Sequence, residues 1–113
     1  MSPITTHVLD TSVGRPAAGV RVELYTTGED SEPSELAAGV TNADGRLADL
    51  LGPGGLEAGT YTLRFDTGAY FAALGIEAFF PRVEITFRFD PTGGHYHVPL
   101  LLSPFGYSTY RGS

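Results

Sequence analysis

The chain has 113 residues, enough for one core in which about two-thirds of the surface exposed by the unfolded chain is buried. Its net charge is −6 and all seven basic residues are arginine, a scattered set on an acidic background that makes no footprint for nucleic acid or an anionic membrane surface. The absence of cysteine removes disulfides and thiolate chemistry from the account.

Fifteen glycines and eight prolines suit a fold with many turns rather than a helix bundle. The first residues lack a basic segment followed by a long apolar one, and no stretch has the length of a membrane span. The expectation is therefore a cytoplasmic protein with no membrane partner. Residues 5–10 are short and β-prone, and 11–19 read as a turn. Residues 20–25 alternate Val20, Val22 and Leu24 against Arg21, Glu23 and Tyr25, the pattern of a half-buried strand. Residues 26–35 are acidic and polar and predict an exposed hairpin loop; 36–42 form a weaker strand. The Asp-Gly step within 42–46 signals a turn that presents Arg46 just after it.

Residues 51–59 read as loop. Residues 59–66 alternate Tyr61, Leu63 and Phe65 against Thr62, Arg64 and Asp66. One helix follows, with Thr67 as N-cap, Tyr70, Phe71 and Leu74 as its apolar stripe, and Gly75 at its end. Residues 79–90 give an alternating strand with Val83, Ile85, Phe87 and Phe89 on one side. A turn over 90–94 leads to a final strand beginning at His95. Six to eight short strands with a single helix point to an all-β sandwich, one domain over residues 1–113 with no repeat or linker.

The candidates for chemistry are concentrated in the last nineteen residues. In an extended segment His95, His97, Pro99, Leu101 and Ser103 share one face, with Tyr96, Val98, Leu100 and Leu102 on the other. Three readings stay open on the residues alone. His7, His95 and His97 can form a three-histidine metal site, although no carboxylate stands ready to orient the ligands. Paired histidines near neutrality can instead move protons without a metal, while an arginine fork polarises a planar, carbonyl-rich substrate. The ordinary reading is an edge-strand histidine, a solvated turn arginine and a paired tail, and composition and spacing by themselves favour it. No G-x-S-x-G elbow surrounds Ser108, so a serine nucleophile is not expected. The glycine pairs at 54–55 and 93–94 are turn glycines, because neither a helix start nor a lysine follows them.

Thr6-His7-Val8-Leu9-Asp10, Asn42-Ala43-Asp44-Gly45-Arg46, and the run from His95-Tyr96-His97-Val98-Pro99 to Tyr110-Arg111-Gly112-Ser113 together resemble one family. It is the transthyretin-related 5-hydroxyisourate hydrolases of urate (purine) degradation. The resemblance covers essentially the whole chain, including residues 66–75 as the family's single short helix. It implies a transthyretin-like (prealbumin-like) β-sandwich of about eight strands, assembled as a homotetramer in which two dimers face each other across a channel. It also implies that His7, Arg46 and His97 are catalytic and that Tyr110, Arg111, Gly112 and Ser113 bind substrate. No cofactor and no metal are implied.

The chemistry expected from the resemblance is water attack on the six-membered ring amide of 5-hydroxyisourate, giving 2-oxo-4-hydroxy-4-carboxy-5-ureidoimidazoline. His7 and His97 carry the proton transfers, and Arg46 holds the ring carbonyls. Pro99, Leu101 and Leu102 are expected to form an apolar interface between copies. The competing class is a transthyretin-like carrier of small aromatic ligands; a secreted adhesion domain is a more distant third.

Overall fold

The computed structural model describes residues 2–27, 32–51 and 55–112. Within these, ten strands and one α-helix follow in order: β1 (Ile4–Asp10), β2 (Arg15–Pro16), β3 (Arg21–Thr26), β4 (Ser34–Val40), β5 (Arg46–Leu47), β6 (Gly59–Phe65), α1 (Thr67–Ala73), β7 (Val83–Phe89), β8 (Tyr96–His97), β9 (Leu100–Ser103) and β10 (Gly106–Thr109), with a single 3-10 turn (Pro91–Gly93) between β7 and β8. Three of the strands have only two residues, which separates ten observed strands from the about eight expected.

Strand β1 organises the first sheet. Its side chains alternate: Ile4, Thr6 and Val8 are buried in the core, at most 1% exposed, and Thr5 and His7 take the opposite face. One flank of β1 pairs antiparallel with β5 and β2. The other pairs in parallel with β8 and then β9, and β10 folds back antiparallel on β9. The second sheet has the order β4-β3-β6-β7, all antiparallel. The two sheets pack through side chains such as Val22, Leu24, Leu63, Phe65 and Leu100, none of them accessible to solvent. An aromatic seam joins them at one end, where the rings of Phe89 on β7 and Tyr96 on β8 lie 4.8 Å apart.

Helix α1 differs in detail from the expectation. Asp66, not Thr67, is the N-cap; its carboxylate accepts from the Ala69 amide at 3.3 Å, and Thr67 enters the helix as a buried residue. Asp and Thr are both good caps, so their order alone does not say which one reaches the free amides. Gly75 follows the helix with φ +70°, as a left-handed terminator. Of the expected stripe only Phe71 is fully buried; Leu74 is 55% exposed, and Tyr70 instead donates its hydroxyl to the buried Asp10 carboxylate at 2.8 Å. Burial, and then that bond, push the Tyr70 hydroxyl up to about 12.

Three further expectations are revised. The strand over 79–90 begins only at Val83, because the Pro81 carbonyl is engaged by the Gly68 amide at the start of α1 and Phe79 donates to the Pro104 carbonyl. The loop over 26–35 has strand at both ends, since β3 reaches Thr26 and β4 starts at Ser34; its centre, 28–31, lies outside the described residues. The final strand is three short ones. Pro99 has no N–H to give to β1 and divides β8 from β9.

Candidate functional site

The turn over 42–46 sets one side of the site. The Asn42 side-chain oxygen accepts from the Asp44 and Arg46 amides at 2.9 and 3.0 Å, and Gly45 sits at φ +72°. The Gly45 carbonyl takes the Val8 amide at 2.7 Å, which locks the turn onto β1. A side chain at Gly45 has no room, since a Cβ there would overlap the Val8 carbonyl oxygen. The locked register places Arg46 directly opposite His7. Directly opposed residues on neighbouring antiparallel strands have Cβ atoms about 5 Å apart on the same face.

His7 is further fixed by the same turn: its Nε2–H donates to the Asp44 carbonyl at 2.8 Å. A carbonyl only accepts, so the hydrogen bond assigns the proton to Nε2 and leaves the Nδ1 lone pair open in the neutral ring.

The tail sets the other side. Pairing in parallel with β1 puts His97 beside Thr5, two residues before His7 and on the same face of the strand. The Thr5 hydroxyl, in a residue only 8% exposed, lies 2.8 Å from His97 Nδ1 and 2.9 Å from His95 Nε2. Between the two histidines, Tyr96 turns inward onto Phe89, and its hydroxyl accepts the Asp90 amide at 3.2 Å. The inward tyrosine thus anchors the segment whose neighbours point outward. Gly112 crosses back over His97: its amide donates to the His97 carbonyl at 2.7 Å, and its Cα lies against the imidazole.

Burial pushes the His97 imidazole below the usual histidine value of 6.5, and the nearby positive charges of Arg46, His7 and His95 push it further the same way. At neutral pH His97 is therefore a neutral ring with an available lone pair. Arg46 is exposed and has no carboxylate partner among the described residues. The arrangement presents lone pairs and a guanidinium on one sheet face, the equipment for moving a proton while holding a carbonyl.

Of the sequence-derived set, the fold brings His7, Arg46, His97 and Gly112 together. The side chains of Tyr110 and Arg111 turn elsewhere: with Phe87, Val98 and other residues they line a cavity of about 260 Å³ that includes none of His7, Arg46 and His97. The Arg111 guanidinium donates to the Gly93 carbonyl at 3.0 Å and lies 3.9 Å from the centre of the Tyr96 ring, a cation–π contact. Ser113 lies outside the described residues. Among the described residues no three His, Asp or Glu side chains are placed to hold a metal ion, and no helix is long and apolar enough to cross a membrane. The residue that sequence reasoning passed over is Thr5. Its signal was its position at two residues before His7 on the same strand face.

The apolar patch expected of the tail also changes. Pro99 and Leu102 are buried within the chain and only Leu101 is half-buried. The exposed apolar residues at this end are Phe105 at 72%, Tyr107 at 42% and Tyr110 at 59%.

Comparison with known proteins places these features in context. The sequence model of the HIUase/Transthyretin family matches residues 4–112. The chain is 49% identical to a probable 5-hydroxyisourate hydrolase of Schizosaccharomyces pombe, over 97% of this chain and 90% of that protein. It is 47% identical to the 5-hydroxyisourate hydrolase of Mus musculus, over 99% and 96%. Among solved structures, the Klebsiella pneumoniae 5-hydroxyisourate hydrolase superposes with a TM-score of 0.85 at 46% identity, covering 97% of this chain and 92% of that one. Sea bream transthyretin in complex with thyroxine superposes with a TM-score of 0.92 at 35% identity, covering 98% and 95%.

Proposed function

Because the chain belongs to the HIUase/Transthyretin family, we propose that it is a 5-hydroxyisourate hydrolase of urate degradation, with His7, Arg46 and His97 as its catalytic residues. The observation that carries the reading is the convergence on one sheet face of a neutral His97 with the directly paired His7 and Arg46. A carrier of apolar ligands has no use for a proton acceptor and a guanidinium with no carboxylate partner side by side.

Arg46 polarises a ring carbonyl through its forked donors. His7 Nδ1 and His97 Nε2 hold a water between them, and His97 removes its proton as the oxygen bonds to the amide carbon. The carbon–nitrogen bond then breaks and His97 returns that proton to the departing ring nitrogen. The second proton of the water leaves as the new carboxyl ionises, giving 2-oxo-4-hydroxy-4-carboxy-5-ureidoimidazoline. Of the tail, Gly112 stands against His97 and makes the contact nearest the chemistry, while the side chains of Tyr110 and Arg111 line the separate cavity. No step calls on a cofactor or a metal.

The proposed assembly is a homotetramer, a dimer of dimers, of residues 1–113 as one transthyretin-like domain. It is supported by strands β7 and β10, which end their sheets among the described residues, and by the exposed Tyr107 on β10 with Phe105 and Tyr110 flanking it. The site lies on the outer face of the first sheet, where a second dimer would close it off from bulk water. Light scattering at micromolar concentration checks this, and a monomeric mass refutes it. The proposed compartment is the cytoplasm.

The decisive assay follows decay of freshly generated 5-hydroxyisourate. Replacing His97 by Asn is expected to lower turnover by about 10²–10⁴-fold, the usual contribution of a general acid–base group. Unchanged stereospecific turnover would remove His97 from the reaction. The close overlap with sea bream transthyretin favours one rival, a small-ligand carrier; it gains if the parent protein binds an aromatic ligand without accelerating decay.

A further inference from the structure

The Thr5 hydroxyl stands between two imidazole nitrogens, His97 Nδ1 at 2.8 Å and His95 Nε2 at 2.9 Å. A hydroxyl carries one proton. It can donate to only one of these nitrogens, and to complete the second bond it must accept from the other ring. The side chain is buried and these two rings are its hydrogen-bond partners among the described residues, so the tautomers of His95 and His97 are tied together. If Thr5 donates to His97 Nδ1, the neutral His97 carries its proton on Nε2 and has no lone pair there for water. If Thr5 accepts from His97 Nδ1–H, its own proton goes to His95 Nε2 and His97 Nε2 is bare. Protonated His97 fits only the second arrangement, because its Nδ1–H must have an acceptor.

We propose that Thr5 and His95 are positioning residues for His97. The Thr5 hydroxyl accepts from Nδ1 and gives its single proton to His95 Nε2, holding His97 in the tautomer whose Nε2 faces the substrate bare. This inference rests on the reading of His97 as the base. It gives each part of the chain a separate role: Thr5 orients the ring and fixes its proton, and His95 supplies the acceptor that makes Thr5 point away from His97. The two rings lie 6.4 Å apart and nearly parallel, so His95 reaches His97 through the hydroxyl.

The test combines kinetics with imidazole nitrogen spectroscopy on the full chain. Thr5→Val keeps the shape of the side chain in a buried strand and deletes the hydroxyl; Thr5→Ser keeps the hydroxyl; His95→Phe deletes the acceptor. Thr5→Val and His95→Phe are each expected to lower kcat by about 10- to 100-fold, short of the loss from removing the base itself. KM should stay within about twofold, and the double variant should be no worse than either single one, since both cut the same chain. Thr5→Ser should recover kcat to within about threefold of the parent. In nitrogen spectra the parent His97 should show a protonated Nδ1 and a bare Nε2, and Thr5→Val a mixture.

The proposal is overturned if parent His97 is protonated on Nε2, if Thr5→Val leaves kcat and the nitrogen shifts unchanged, or if the two variants lose activity additively. The spectra separate this outcome from failure of the underlying site. His97→Asn with parental turnover sinks the reading of His97. His97→Asn inactive with Thr5→Val indistinguishable from parent sinks the positioning role alone.

Discussion

Replacing Gly112 by alanine tests how closely the tail and the His97 imidazole are fitted to each other. A Cβ added at Gly112 would stand 2.8 Å from His97 Cδ2, 3.3 Å from its Cβ and 3.4 Å from its Cγ. The first of these is roughly 0.6 Å inside ordinary contact distance, so the ring or the tail has to move by about that amount. Gly112 does not occupy the left-handed region, so alanine is not strained by its own backbone. The cost falls on the neighbour. A ring that yields weakens the 2.8 Å bond to Thr5 and turns Nε2 away from the proposed water; a tail that yields breaks the 2.7 Å bond from the Gly112 amide. A misplacement of about 1 Å near reacting atoms costs on the order of 10²-fold, so about 10- to 50-fold in kcat is expected here. The same variant should lose little thermal stability, since the contact is a single isolated bridge and the core is untouched. Initial rates of 5-hydroxyisourate decay and an unfolding curve on the same samples give both quantities. Turnover within about twofold of the parent would refute the reasoning, as would a loss of activity explained by global unfolding.

Gly45→Ala is expected to show the opposite balance. The residue stands at φ +72° and a Cβ overlaps the Val8 carbonyl oxygen. A left-handed non-glycine residue costs about 1–2 kcal/mol, and loss of the Val8 amide bond adds about 1 kcal/mol. Denaturant unfolding at one fixed protein concentration should register about 2–3 kcal/mol, with activity falling because Arg46 and the Asp44 carbonyl move together; an unchanged midpoint would contradict the account. Stability should also depend on pH through His97. Its folded value lies below 6.5, so on acidification the unfolded chain takes up the proton first. Stability is therefore full above pH 6.5 and declines as pH falls from there toward the lowered folded value. Urea midpoints across that window should fall less steeply in His97→Asn than in the parent, and an equal slope would show that His97 is not the group responsible.

The strands were legible where burial alternates strictly. Val22, Leu24, Leu63 and Phe65 each read correctly because period-two patterning reports a sheet with one wet face. The turn over 42–46 was legible because Asn, Asp and Gly have local reasons to sit there. The broken tail was less so, since Leu100 and Leu102 keep their alternation across a proline that ends the preceding pair. Residues 79–82 failed as strand because a tertiary contact to the start of α1 captured Pro81, which no local pattern announces. At the site, the spacing of His95 and His97 gave their shared face correctly. The direction taken by Arg111 was not readable, since a guanidinium reaches either way and the attraction of the Tyr96 ring depends on packing. Thr5 had only its place two residues before His7 to mark it, for a related reason: a threonine in a strand is ordinary until two imidazoles arrive from ninety and ninety-two positions away.

Strand β1 carries core anchors and the proposed site residues on alternate positions of a single backbone. A substitution that bends it disturbs both sheets at once, so the reactive face inherits the rigidity of the interior and has little freedom to drift. Adaptation toward other ring systems must then come through the flanking pieces, the turn that bears Arg46 and the segment after Thr109, which can change outline without unseating the middle. An engineer seeking altered selectivity would diversify those margins and leave the spine alone.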